Sequence, residues 1–161
     1  MGSVAEINGR LLSLGFFLLI CFAASAAGGL LGYPHVVDWF DRLQKPDWTP
    51  AASAFGSVWT VLYGTMAVSA WLVWDREHGG AFPALRLFGY QLGLTLLWSI
   101  LFFGLRSPDV AAAEIIILWL VICATVFSFL RIRRLAGYLL VPNWVWVTYA
   151  ACLNLSIARN N

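Results

Sequence analysis

The residues that could do chemistry in this sequence are tryptophans, side-chain amides and one carboxylate, all set within apolar runs at helical spacing. At 100° per residue, Gln91, Thr95, Trp98 and Phe102 fall within about 60° of one another, with Gly89 and Gly93 on the opposite face. Asn143, Trp146, Ala150 and Asn154 fall within about 80° on a later segment, and Trp144 points about 100° away from Asn143, toward the outside. Trp59, Tyr63, Met66 and Ala70 form a third stripe within about 60°. The chemistry these stripes suit is noncovalent: indole faces stack on a flat π-system, and a few amides orient it. Two bland uses stay open. The Trp59 stripe could be helix packing, and Asn154 could be an interhelical hydrogen bond.

Glu114 is the only acidic residue well inside an apolar run. A carboxylate at membrane depth is a functional candidate by default, able to orient a cationic or hydrogen-bonding group when ionised and to donate when protonated. The alternative is a place near the interface, favoured by the positive end of a helix that starts about one turn earlier at Asp109. Other chemistries lack their parts. No nucleophile stands with a base and no phosphate loop is present; Cys21, Cys123 and Cys152 lie singly in apolar runs; His35 and His78 have no neighbour at metal-ligand spacing. No metal site is expected. A net charge of +2 with its basic residues dispersed gives no footprint for nucleic acid.

The elements that hold these residues must lie in lipid. Of 161 residues, 61% are hydrophobic and 11% charged, which is more apolar surface than a water-soluble domain of this length can bury. Runs near 11–32, 50–74, 82–105, 109–130 and 135–158 are each long enough to cross a hydrocarbon core of roughly 30 Å. The reading is one all-α membrane domain over 1–161, a bundle of five transmembrane helices. The first run exceeds the usual length of a signal-peptide core and is expected to be retained. Its small residues from Ala23 to Gly29 predict central packing.

Between the first two spans, Val36, Phe40 and Leu43 recur at i, i+4 and i+7 beside Asp38, Asp41 and Arg42. This predicts a short amphipathic helix ending at Lys45, before Pro46. It fits a lid over the bundle and equally an interfacial helix, and Arg42 or Lys45 could meet ligand carboxylates at the rim. Thr49 is expected to cap the second helix with Pro50 as its first residue, and Ser107 with Pro108 does the same for the fourth. Pro142 should kink the fifth or sit in its first turns. Six Lys and Arg residues fall on the amino-terminal side and four on the other, favouring a cytoplasmic amino terminus.

The stretch Trp39-Phe40-Asp41-Arg42-Leu43-Gln44-Lys45-Pro46-Asp47-Trp48-Thr49-Pro50, followed by Gly56, Val58-Trp59 and Leu62-Tyr63, resembles the TspO/MBR signature W-Y-x-x-L-x-K-P-x-W-x-P-P with its downstream W-x-x-L-Y. Gln91-Leu92, Trp98 and Phe102-Phe103-Gly104 are similar to the family's third span. Glu114 falls where relatives carry an acid, and Pro142, Trp146 and Leu153-Asn154 match the fifth span. The resemblance implies a membrane protein that binds protoporphyrin IX or haem-type tetrapyrroles as sensor, regulator or translocator, with no obligatory cofactor. The first loop, with Trp39, Phe40 and Trp48, would close a pocket walled by Trp59, Tyr63, Gln91, Thr95, Trp98, Glu114, Asn143, Trp146, Ala150 and Asn154. It also implies a homodimer through the third span, in agreement with the Gly89/Gly93 face; separately, with no transit peptide read in the sequence, a bacterial inner membrane is expected.

Two alternatives accompany that reading. Some relatives degrade porphyrin in light, with tryptophans corresponding to Trp59 and Trp146; otherwise no catalytic residue is assigned. A small secondary transporter is the other, though such proteins carry more charged or broken-helix features at midplane. The sequence departs from the family pattern at Phe40, Ala51, Ser53, Thr95 and Asn143, several of them expected at the pocket, so ligand selectivity does not carry over. Leu155 replaces the tyrosine of the sterol motif, and sterol recognition is not expected.

Overall fold

The computed structural model describes residues 4–36, 39–76 and 80–161, and among these every regular element is helical. Five α-helices follow one another: α1 Val4–Val36, α2 Ala52–Trp74, α3 Ala81–Ser99, α4 Pro108–Ile132 and α5 Arg134–Asn160. A 3-10 turn, Phe40–Arg42, lies in the first loop, and a π-helical turn, Ile100–Gly104, extends α3. Helices α1 to α4 are long and apolar enough to cross a membrane. At 27 residues α5 is also long enough, and it is less apolar because its buried face carries Asn143 and Asn154.

The helices close a ring in the order α1, α2, α5, α4, α3, with α3 returning to α1. Helices α3 and α5 are therefore not ring neighbours and face each other across the interior. The buried residues Met66, Phe88, Ile122, Phe129, Leu140 and Val147 fill the ring, while Leu12, Leu19, Val61, Leu120 and Val145 point outward to where lipid would lie.

Helix α1 does not pack centrally as its small residues predict. Only 17% of its apolar window is buried, against 44% for α2 and α4. The reason is local: of the glycines in that run, Gly28 alone meets a neighbour, with Ser99 Oγ 3.4 Å from where a Cβ would sit. Cys21 and Ala24 are buried and Phe17 and Leu18 pack on the core, while Leu11, Leu12, Phe16, Leu19 and Leu30 are exposed.

Loop one also differs from expectation. Helix α1 runs past Gly32 to Val36, residues 37–38 lie outside the described residues, and the expected amphipathic helix is a single 3-10 turn closed by Arg42 N to Trp39 O, 3.1 Å, and Leu43 N to Phe40 O, 3.3 Å. The Phe40 ring is inserted against Phe102 and Phe103, and Lys45 Nζ donates to the Phe40 carbonyl at 3.0 Å. These contacts fix the chain in a tight turn rather than a continuing helix. Thr49 does not cap α2. Its hydroxyl donates to Pro46 O at 2.7 Å, which leaves Ala51 extended at the N-cap and Ala52 as the first helical residue. Ser107 and Pro108 do open α4, although the Ser107 side chain makes no capping bond. Pro142 sits well inside α5, which continues through it.

The α4–α5 contact depends on Gly137. A Cβ there would stand 2.9 Å from the backbone nitrogen of Leu130 and collide with the Leu130 side chain, so the helices can approach only if the position has none. Gly137→Ala should destabilise the protein by about 1–3 kcal/mol, as overpacking of a closed core does. Gly15→Ala, with open space around it, should not. Thermal unfolding of the two variants in detergent checks this: equal midpoints would contradict the close approach.

Candidate ligand site

At one end of the ring α3 reaches α5 through a buried hydrogen-bond relay. Trp98 Nε1 donates to Asn154 Oδ1 at 3.0 Å, and Asn154 Nδ2 donates to Pro108 O at 2.8 Å. Asn154 is 1% exposed and Trp98 6%. The interhelical role open to Asn154 is therefore occupied, and the same side chain also lines a small cavity with Phe40, Phe55, Trp98, Phe102, Phe103, Ala150 and Leu153.

The π turn shapes this cavity. In an α-helix Trp98 and Phe102 share a face but Phe103 turns away from it. The wider turn, closed by Leu105 N to Ile100 O at 2.7 Å, brings Phe103 round as well. Trp98 stacks on Phe102 at 5.3 Å between ring centroids, and Phe103 meets Trp98 edge-on at 5.8 Å. Phe40 closes over both phenylalanines and Trp39 meets Phe102 at 5.7 Å. Such π turns recur at functional sites because they re-aim side chains within a continuous helix.

A second aromatic group joins α2 to α5. Trp59 and Tyr63 lie 5.6 Å apart, Phe55 meets Trp146 at 5.7 Å, and Trp146 stacks on Tyr149 at 5.6 Å. The Tyr149 hydroxyl then donates to Trp48 O at 2.7 Å, latching loop one to α5. Trp48 itself is 48% exposed and lies against the outer side of Tyr149, outside the cavity. Lys45 is held within the loop, paired with Asp41 at 3.2 Å and placed over the Phe40 ring at 4.5 Å.

The remaining candidates separate by hydrogen bonding. Thr95 is buried and its hydroxyl is spent on Gln91 O, 2.9 Å away in its own helix. Gln91, Asn143 and Glu114 are buried, and none of their side-chain polar atoms has a partner among the described residues. Glu114 is buried within α4, which starts at Pro108. Trp144 is not free in the outer layer. Its ring packs on Trp119 of α4 at 5.5 Å because the α4–α5 contact covers that flank of α5. Gly89 and Gly93 do face outward, with nothing within 4 Å of either added Cβ.

Sequence reasoning missed Phe55, Phe103, Tyr149 and Leu153 as neighbours of the site. Phe55 stands four residues before Trp59 and Tyr149 three after Trp146, spacings that put each beside its tryptophan. Phe103 left no such signal, since it reaches the cavity only through the π turn.

Replacing Asn154 with Leu strands the Trp98 indole N–H and should cost about 1–3 kcal/mol, the penalty of a buried donor left unmade. Differential scanning fluorimetry should report a lower midpoint for the variant; an unchanged one would mean that the relay contributes nothing.

The chain matches the TspO/MBR family over residues 17–159. It is 36% identical over 145 residues to a tryptophan-rich sensory protein of Cereibacter sphaeroides, covering 90% of this chain and 89% of that one. It is 34% identical over 160 residues to the tryptophan-rich protein TspO of Chlorobaculum tepidum, covering 96% and 99%. The human translocator protein is 34% identical over 127 residues, covering 76% of this chain and 75% of that one. With an aromatic interior inside a ring of apolar helices and this match along most of its length, the chain is an integral membrane protein that belongs to the TspO/MBR family.

Proposed function

We propose that the protein binds a flat tetrapyrrole of the porphyrin or haem pathway between α2, α3 and α5, beneath loop one, and acts as its sensor, regulator or translocator. The observation that carries this reading is the convergence of Trp39, Trp59, Trp98 and Trp146, from the loop and three helices, on one interior. Indole faces suit an extended π-system, and the surrounding phenylalanines exclude water. The cavity between Trp98 and Phe40 is too small for a macrocycle, so binding requires loop one to lift. The Tyr149–Trp48 latch, the Trp39 and Phe40 rings on the π turn and the Asn161–Gln44 pair are the contacts that must give way. Protoporphyrin IX titrated into the purified protein should shift its Soret band and saturate. In a Trp59→Phe, Trp146→Phe double variant the affinity should fall about tenfold, the equivalent of one or two lost aromatic contacts. Unchanged affinity would count against the site.

The outward Gly89 and Gly93, with Leu97 and Ile100 on the same face, suit a second copy packed through α3, since small residues allow close backbone approach in lipid. Gly93→Leu should convert dimer to monomer in sedimentation without altering the fold, and a parent that sediments as a monomer at every concentration would remove the dimer. Arg10, Arg76, Arg86, Arg131, Arg133 and Arg134 belong to one end of the ring, which supports a cytoplasmic amino terminus in a bacterial inner membrane.

A further inference from the structure

Among the described residues, Gln91 and Asn143 are the two side-chain amides in the set of buried polar groups left without partners, a set that also holds Glu114 and the Trp144 and Trp146 indoles. The two amides are 0% and 1% exposed, and all four of their amide atoms lack a partner among the described residues. Ser69, Thr95, Thr125 and Asn154, equally deep, are each hydrogen-bonded. Folded interiors rarely leave amides unpaired, and the cost rises where lipid rather than water surrounds the helices.

The two amides address the same interior. Each sits at the middle of its helix's buried face, Gln91 between Phe88 and Thr95 on α3 and Asn143 between Leu140 and Val147 on α5. Two routes bracket their relative depth. Carried through α4 by the Phe88–Phe129 and Trp119–Trp144 pairs, the level of Gln91 meets α5 near Gly137; carried across by the Trp98–Asn154 bond, it meets α5 near Val147. Both routes end within about two helical turns of Asn143, on either side of it. The pair lies deeper than the Trp98 cavity by about two turns, roughly 10 Å.

We propose that Gln91 and Asn143 form a receptor for a neutral amide edge, a lactam or imide N–H beside its C=O, on an otherwise flat and apolar ligand. A carboxamide carries acceptor and donor in one plane and can close two hydrogen bonds on such an edge. A carboxylate is disfavoured here: among the described residues the buried polar groups include no Lys or Arg, and they include Glu114. An unpaired anion at this depth is far more costly than a neutral group. Met66, fully buried on the facing side of α2, is a side chain that repacks readily around an entering group. The inference rests on the tetrapyrrole reading and narrows it. A closed porphyrin has no amide edge and carries propionates at its rim, whereas a linear tetrapyrrole ends in lactam rings.

The test uses two uncharged diesters, biliverdin dimethyl ester with lactam ends and protoporphyrin IX dimethyl ester without them, titrated into the purified protein and followed by absorbance. The linear diester should bind about tenfold more tightly, as one or two buried hydrogen bonds provide. Gln91→Met with Asn143→Leu should reduce that preference to less than about twofold. The ligand-free double variant should unfold at a temperature equal to or above that of the parent, because apolar side chains of similar volume replace unpaired amides. Equal affinities in the parent, or a preference that survives the double variant, overturns the lactam receptor and leaves the tetrapyrrole reading standing. Failure of both diesters to bind removes both. A ligand-free variant less stable than the parent shows the amides already engaged by internal water, and overturns the proposal as well.

Discussion

The side-chain amide of Asn154 holds together the end of the bundle on which the site depends. An indole N–H can only donate and a peptide carbonyl can only accept, so a neutral group linking the two must accept on one side and donate on the other. Asn154 does both, joining α5 to Trp98 of α3 and to the first residue of α4. Neither an ionised Asp nor Leu could make that pair of bonds. Because α3 and α5 are not ring neighbours, this relay fixes their separation across the interior, and the Trp98–Phe102–Phe103 cluster is held where loop one can close on it. At the other end Ser69 donates to Ala136 O at 2.6 Å, and Gly137 admits the backbone of α4. Helix α5 is thus the common strut, tied to α2, α3 and α4 by polar or close backbone contacts, while α1 leans on the outside.

In lipid, apolar surface alone gives helices little reason to associate, so specific hydrogen bonds and close backbone approach set the geometry. The interior this creates is aromatic, nearly closed, and polar only at a few buried groups. Loop one completes it. Trp39 and Phe40 pack on the π turn, Tyr149 holds Trp48 from α5, and the Asn161 amide pairs with the backbone of Gln44, so the lid is attached by a few rings and hydrogen bonds. Such an attachment can be exchanged for contacts with a ligand without unfolding the helices.

Much of this was legible in the sequence because helical periodicity converts directly into faces. The spacing of Gln91, Thr95 and Trp98 against Gly89 and Gly93 separates the inner and outer sides of α3, and the bundle class follows from composition alone. What periodicity could not supply is anything that breaks the 3.6-residue repeat or depends on a partner helix. Phe103 reaches the cavity only through a π turn. Trp144 is covered because α4 happens to pack on its side. The first loop reads as an amphipathic helix until the insertion of the Phe40 ring and the Lys45 contact to the Phe40 carbonyl are known. Thr49 has the right chemistry for a cap but spends its hydroxyl on Pro46, a competition that residue type alone does not decide.

The central claim is that the interior bounded by α2, α3 and α5 takes up the ligand, and the nine tryptophans report on it individually. Fluorine NMR of the protein labelled with 5-fluorotryptophan, with each resonance assigned by substitution, measures this directly on addition of protoporphyrin IX. The account predicts that the Trp59, Trp98 and Trp146 signals shift together and saturably while Trp74, Trp119 and Trp144 stay in place. Shifts confined to Trp74, Trp119 and Trp144 would place the ligand on the outer surface and contradict it.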